Sequence, residues 1–309
     1  MTEATDTRND VLEHFRRHST NTNPGTFAPS YNALPTDLAS TCRAVQSWLV
    51  HMFWIDEAPY GVTHAQIKAS GRRMCEEFAL STAEERLASI FALDDRSLAE
   101  PRPADRRSVG CCRDYALMLT SVLRHRGIPA RVRTGVALYF VAPDGPMIED
   151  HYVTEHWNTA EERWQLTDPQ IDELQRSAVD SELDVLDFSE DLFLTGARLV
   201  EAIRDGRVPT TVGFPPVNVG ATYGRNKLFA DFASLTGYEL PVHAWWGLGD
   251  PSSVEPGDDA LVDRLIELAH AIDRNDVAAL GEALHLSRTH PRLRMPAGYT
   301  APPYKHPLC

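Results

Sequence analysis

The strongest constraint on this chain is a change of hydrophobic period in its middle third. From Cys112 to Arg126 the apolar residues Tyr115, Ala116, Leu119, Val122 and Leu123 recur at helical spacing, and Gly127-Ile128-Pro129 has the chemistry of a helix end. From Arg131 to Val141 the pattern becomes alternating and β-branched, and it does so again over His151–Trp157 and Arg163–Asp168. Pro143-Asp144-Gly145-Pro146 reads as a turn between the first two segments, and the polar run 158–162 joins the last two. One helix followed by a three-strand meander predicts an α+β unit, with the helix packed on an antiparallel sheet.

The flanks read as helical. Met1–Asn23 is polar, with neither the apolar stretch nor the cleavage pattern of a signal peptide, so residues 1–30 are expected to be loosely ordered. Thr36–Phe53 carries Leu38, Cys42, Val45, Leu49 and Met52 on one helical face, and Ser81 with Glu84 forms a capping-box pattern opening a helix through Leu93. Residues 31–107 are therefore expected to form a helical part and 108–175 the sheet unit. In 176–309, helices are predicted over Phe188–Arg204, Tyr223–Leu235, Asp258–Ile272 and Val277–Leu286, packed against that unit.

Composition narrows the partners. A net charge of −14 argues against a phosphate-backbone partner, so no nucleic acid is expected. The longest apolar run is too short to cross a bilayer, and a cytoplasmic protein with no membrane contact is expected. Five cysteines, an odd number with no C-x-x-C pair, predict thiols rather than a disulfide framework or a zinc ribbon. His151 and His156 point to opposite faces of an alternating strand, so they form no metal pair, and no glycine-rich phosphate loop calls for a nucleotide cofactor. The acidic stretch Asp180–Asp191 reads as a solvated loop rather than a calcium site. Neither cofactor nor metal is expected. A small-molecule, peptide or protein substrate is left, and the oligomeric state is not legible.

The chemistry concentrates in Gly110-Cys111-Cys112-Arg113-Asp114-Tyr115-Ala116. A cysteine at a helix N-terminus meets unpaired N–H groups and the positive end of the helix dipole, which favour the thiolate and can hold an oxyanion. Helical angles put Cys112 near the centre of the apolar stripe and Cys111 toward its edge, so Cys112 is expected against the sheet and Cys111 is read as a bystander. Alternation puts His151, Val153, Glu155 and Trp157 on one strand face. A hairpin centred near Thr159-Ala160 sets His151 opposite or diagonal to Asp168 on the next strand. Cysteine, histidine and aspartate in this order form a candidate triad: Cys112 as nucleophile, His151 as base and Asp168 as its orienting carboxylate.

The same run, with Gly127-Ile128-Pro129-Ala130-Arg131 after it and then His151 to Glu155, Trp164 and Asp168-Pro169, resembles the transglutaminase-like superfamily over about Ser108–Gln170. Its departure is Val153, where tryptophan is common in that family. The resemblance implies a papain-like core with the nucleophile at Cys112. The stretch Gly220–Gly247, including Arg225, Asn226 and Trp245-Trp246, is similar to a bacterial group of uncharacterised transglutaminase-like proteins; a structural role is expected for Arg225 and Asn226. The implied activity is acyl transfer through a thioester on Cys112, read first as amide or peptide hydrolysis. Amide formation with an amine acceptor, as in small-molecule biosynthesis, is the alternative, and a non-catalytic binding module is the third reading.

Overall fold

The alternating segments form the expected antiparallel sheet, with one strand more than the pattern shows. The computed structural model describes residues 2–56, 60–142 and 145–308, so the turn at Pro143-Asp144 lies outside the described residues. In chain order the N-terminal part contains α1 (Thr2–Arg16), α2 (Leu38–Trp48), β1 (Leu49–His51), α3 (His64–Ala69), α4 (Met74–Phe78), α5 (Ala83–Leu93) and β2 (Ser108–Gly110). Then come α6 (Cys112–His125), β3 (Ala130–Ala142), β4 (Gly145–Asn158), β5 (Arg163–Thr167) and β6 (Phe193–Thr195). Helices α7 (Gly196–Arg204), α8 (Gly220–Leu235), α9 (Asp258–Asp273) and α10 (Val277–Thr289) complete the fold.

The main sheet runs β5-β4-β3-β6. Its fourth strand falls in a stretch whose pattern reads as helix; Phe193–Thr195 instead pairs antiparallel with Gly135–Ala137, and the helix begins only at Gly196. Three residues are too few for alternation to be visible. Gly135 permits the pairing, because a methyl there would overlap the Leu194 carbonyl.

Helix α6 is buried at every position from Cys112 to Arg124. Tyr115, Leu119, Val122 and Leu123 pack with α2 and α5, whereas Cys112 and Ala116 join Val132 and Tyr152 of the sheet. Cys112 therefore does lie on the sheet side with Ala116, while the other four residues of the apolar stripe pack among α2, α5 and Ala130 at the start of β3. A helix buried all round has no single stripe to read. Its end is a glycine cap: Gly127 takes φ +73°, and the Ile128 and Gly127 N–H groups donate to the Leu123 and Arg124 carbonyls at 2.9 Å each.

Other local expectations shift for stated reasons. The helix expected through Phe53 ends at Trp48, and Leu49–His51 pairs in parallel with Ser108–Gly110, setting His51 beside the start of α6. The capping box is Thr82 with Glu85, one residue beyond the pair expected from the sequence. The N-terminal segment is ordered as α1 because Val11 and Phe15, four residues apart, bury fully in the C-terminal core. Cys42, Cys111 and Cys112 are free thiols, whereas Cys75 is disulfide-bonded, a correction to the expectation of thiols throughout; distant cysteines leave no spacing signature.

Buried ion pairs tie the sheet to the C-terminal helices. Arg133 meets Asp231 of α8 at 2.9 Å, and Arg131 and Arg133 both reach Glu155 and Asp273 of α9. Among the described residues no helix is long and apolar enough to cross a membrane.

Candidate active site

Cys112 is the first residue of α6, and the Arg-Asp pair after it builds its mounting. Asp114 accepts the Cys111 N–H at 2.9 Å and pairs with Arg86 at 3.0 Å and Arg113 at 3.2 Å. Arg86 donates onward to Ser108 Oγ and the Val109 carbonyl, and Arg113 donates to the Ser81 and Glu239 carbonyls. A methyl on Gly110 would sit 2.7 Å from Asp114 Oδ2, so the glycine leaves room for this clamp. The charged residues of the motif thus fix the helix start, and the sulfur is left to do chemistry. Thr154 fastens the same turn to the sheet by donating to the Ala116 carbonyl at 3.0 Å.

His151 and Asp168 meet as the hairpin register requires. Thr154 pairs with Thr167, which sets Asp168 diagonal to His151, and His151 Nε2 lies 2.8 Å from Asp168 Oδ2. Both are buried, at 2% and 0% exposure. The carboxylate is held from two further directions: Tyr139 donates its hydroxyl to Oδ2 at 2.7 Å, and the Gln170 N–H donates to Oδ1 at 2.9 Å. With Nε2 directed at the carboxylate, the imidazole is oriented and its other nitrogen is the one available for proton transfer.

Cys112 is placed less simply. Tyr152 and Thr154 face α6, and His151 packs edge-on to Phe140 and Tyr139. Among the described residues no hydrogen bond joins Cys112 to His151. Cys112 is 7% exposed, and the Cys111 thiol beside it, its own burial and the Asp150 carboxylate push the Cys112 thiol well above its usual range; Lys227 pulls it down. Desolvation and the neighbouring sulfur thus work against the thiolate that the helix start favours.

Three neighbours escape the sequence reading. Tyr139 does so because of a bulge: Ala137 pairs with Glu149 but Phe140 with Met147, one residue out of step, so Tyr139 and Phe140 both join the cluster beside His151. Strict alternation would have separated them. His51 reaches the site through β1, and burial, then the His151 charge, push it down to about 3. Lys227 lies between Asn226 and Leu228 on α8 and pairs with Asp150. Arg225 and Asn226 are structural, bonding Asp258 and the Asp250 and Gly249 carbonyls. A cleft of about 460 Å³ lined by Arg133, Trp157, Trp164 and Arg198 contains none of Cys112, His151 and Asp168.

A family model described as the transglutaminase-like superfamily matches residues 93–169, about a quarter of the chain and the span that holds all three candidate residues. The match supports a cysteine-based enzyme. The structure also aligns with the crystal structure of a candidate cysteine protease from Cytophaga hutchinsonii at 15% identity and a TM-score of 0.27, over 55% of this chain and 45% of that one. The chain thus spans less than half the length of that protein. No curated protein matches the sequence.

Proposed function

Taking residues 93–169 as a transglutaminase-like domain, we propose that the protein is a cysteine-dependent acyl-transfer enzyme working through a thioester on Cys112. The observation that carries the reading is the buried His151–Asp168 couple, held by Tyr139 in the sheet against which the Cys112 helix packs. In the first half-reaction the remaining His151 nitrogen takes the thiol proton and the sulfur attacks an amide, ester or thioester carbonyl. The carbon–sulfur bond forms, the bond to the leaving group breaks, and His151 returns the proton to that group. N–H groups of the first turn of α6 are the donors nearest the developing oxyanion. The step needs His151 within hydrogen-bond reach of the sulfur, and such contacts commonly tighten only when substrate binds.

In the second half-reaction water or an amine gives a proton to His151 and attacks the thioester carbon. The carbon–sulfur bond breaks, and the sulfur leaves as the thiolate to be reprotonated by His151. Amide or peptide hydrolysis is the first reading. One observation favours the amine instead: Cys112 is a buried residue, 7% exposed, in an apolar cluster with Tyr152, and a site that excludes bulk water favours transfer. The test is a chromogenic ester, p-nitrophenyl acetate, followed by nitrophenol release and intact mass, then challenged with buffer alone or with glycinamide. A burst with acetyl on Cys112, absent in Cys112→Ala, is expected, and faster discharge by glycinamide identifies transfer. Equal acetylation in Cys112→Ala would overturn the assignment and bring forward the binding-module reading.

A further inference from the structure

Against Tyr152, a neighbour of Cys112, lies an ion pair that the proposed mechanism does not use. Asp150 of β4 and Lys227 of α8 are bonded to one another, and Tyr223 donates its hydroxyl to the same Asp150 oxygen at 3.1 Å. The Lys227 ammonium stands 5.3 Å from the Tyr152 ring centre and 5.4 Å from that of Tyr223. Tyr152 in turn shares one buried cluster with Cys111 and Cys112. Lys227 itself is almost wholly buried. A buried ammonium spends solvation, and the carboxylate and two ring faces that surround it replace what it loses.

We propose that Asp150 and Lys227 are a pair of positioning residues that set the charge state of the Cys112 sulfur, Lys227 holding the thiolate and Asp150 opposing it. In water two such charges would cancel within a few ångströms. In a buried site each acts on the sulfur separately, because little solvent lies between them to screen it. The opposing signs are visible in the thiol itself, which Asp150 pushes up and Lys227 pulls down. The other titratable groups facing Cys112 are Cys111 just before its helix, Tyr139 from β3 and Tyr152 from β4, with His151 as the base of the proposed reaction. Burial pushes both tyrosines well above their usual range, so they are neutral at working pH. The carboxylate and ammonium are thus the fixed charges that act on the sulfur, alongside the larger effects of the Cys111 thiol and burial. A substrate group that engages Asp150 would release Lys227 to the sulfur, coupling acyl-donor binding to formation of the nucleophile.

This inference rests on Cys112 being the nucleophile, and the test separates the two. Labelling by limiting iodoacetamide is followed by intact mass and peptide mapping across pH in wild type, Lys227→Met, Lys227→Arg, Asp150→Asn and the double variant. Lys227→Met is expected to slow labelling of Cys112 at neutral pH by roughly tenfold and to move its pH profile up. Asp150→Asn is expected to speed it and move the profile down, Lys227→Arg to restore the wild-type profile, and the double variant to return close to it. A purely structural pair would give two variants that unfold earlier in urea with shifts of the same sign. Shifts of one sign, or none, in variants that keep the wild-type urea midpoint would overturn the proposal while Cys112 remains the labelled residue. Labelling that falls on Cys111 in every variant would instead remove the premise and, with it, the proposal.

Discussion

Arg86 and Asp114 form an ion pair of 3.0 Å with both side chains shielded from solvent, and it ties the first turn of the Cys112 helix to the strand before it. Asp114 also takes Arg113 and the Cys111 N–H, so one carboxylate answers two guanidinium groups and a helix end. Asp114→Asn keeps an acceptor for the N–H and removes only the charge. Two buried cations then lose their counterion, and the expected cost is about 3–5 kcal/mol, read as a lower urea midpoint with an unchanged m-value.

Tyr139→Phe tests the support of the His–Asp couple. The variant keeps the ring packing beside His151 and removes the hydroxyl bonded to Asp168. Losing one hydrogen bond to a charged acceptor should lower the rate of Cys112 acylation by about tenfold. The pH profile of the nitrophenol burst should move with it, which a packing defect would not cause.

His51 predicts an acid limb in stability. Its ordinary value of 6.5 falls to about 3 in the fold, through burial first and the His151 charge second. The unfolded chain therefore takes up a proton that the folded one refuses. The stability from this group is fully present above pH 6.5 and is lost as the pH falls toward 3. Urea midpoints measured from pH 4 to 7 should fall less steeply in His51→Gln than in wild type.

Two glycines should respond with opposite signs. Gly135→Ala forces a methyl into the Leu194 carbonyl and should destabilise by about 1–3 kcal/mol through loss of the β3–β6 pairing. Gly281, inside α10, has nothing within 4 Å of an added methyl, so Gly281→Ala should stabilise by about 0.5–1 kcal/mol. Thermal unfolding of the two variants checks both.

The sequence carried the local half of this site and missed the half made by long-range contacts. Cys112 at a helix start, and His151 diagonal to Asp168, follow from chemistry and pairing within some sixty residues. The bulge that turns Tyr139 and Phe140 the same way leaves no mark on composition. His51 is hidden because Leu49–His51 continues a helical pattern and becomes a strand only when it finds Ser108–Gly110. Lys227 is hidden because its partner Asp150 is remote in the chain. The surroundings of the Cys112 thiol are half legible for a related reason: the helix start is local, whereas burial and the Asp150 charge come from the assembled fold.

The Arg131–Arg133 network has a practical consequence for anyone cutting this chain. The stretch that resembles a known family ends at Pro169, yet Asp231 and Asp273, counter-ions of its buried Arg131 and Arg133, come from far beyond it. The same stretch lacks β6, which closes the edge of its sheet. A fragment trimmed to the recognisable segment would therefore expose an open strand edge and strip two guanidinium groups of part of their charge balance. Aggregation, rather than a minimal enzyme, is the expected product, and the shortest useful expression boundary lies past Asp273.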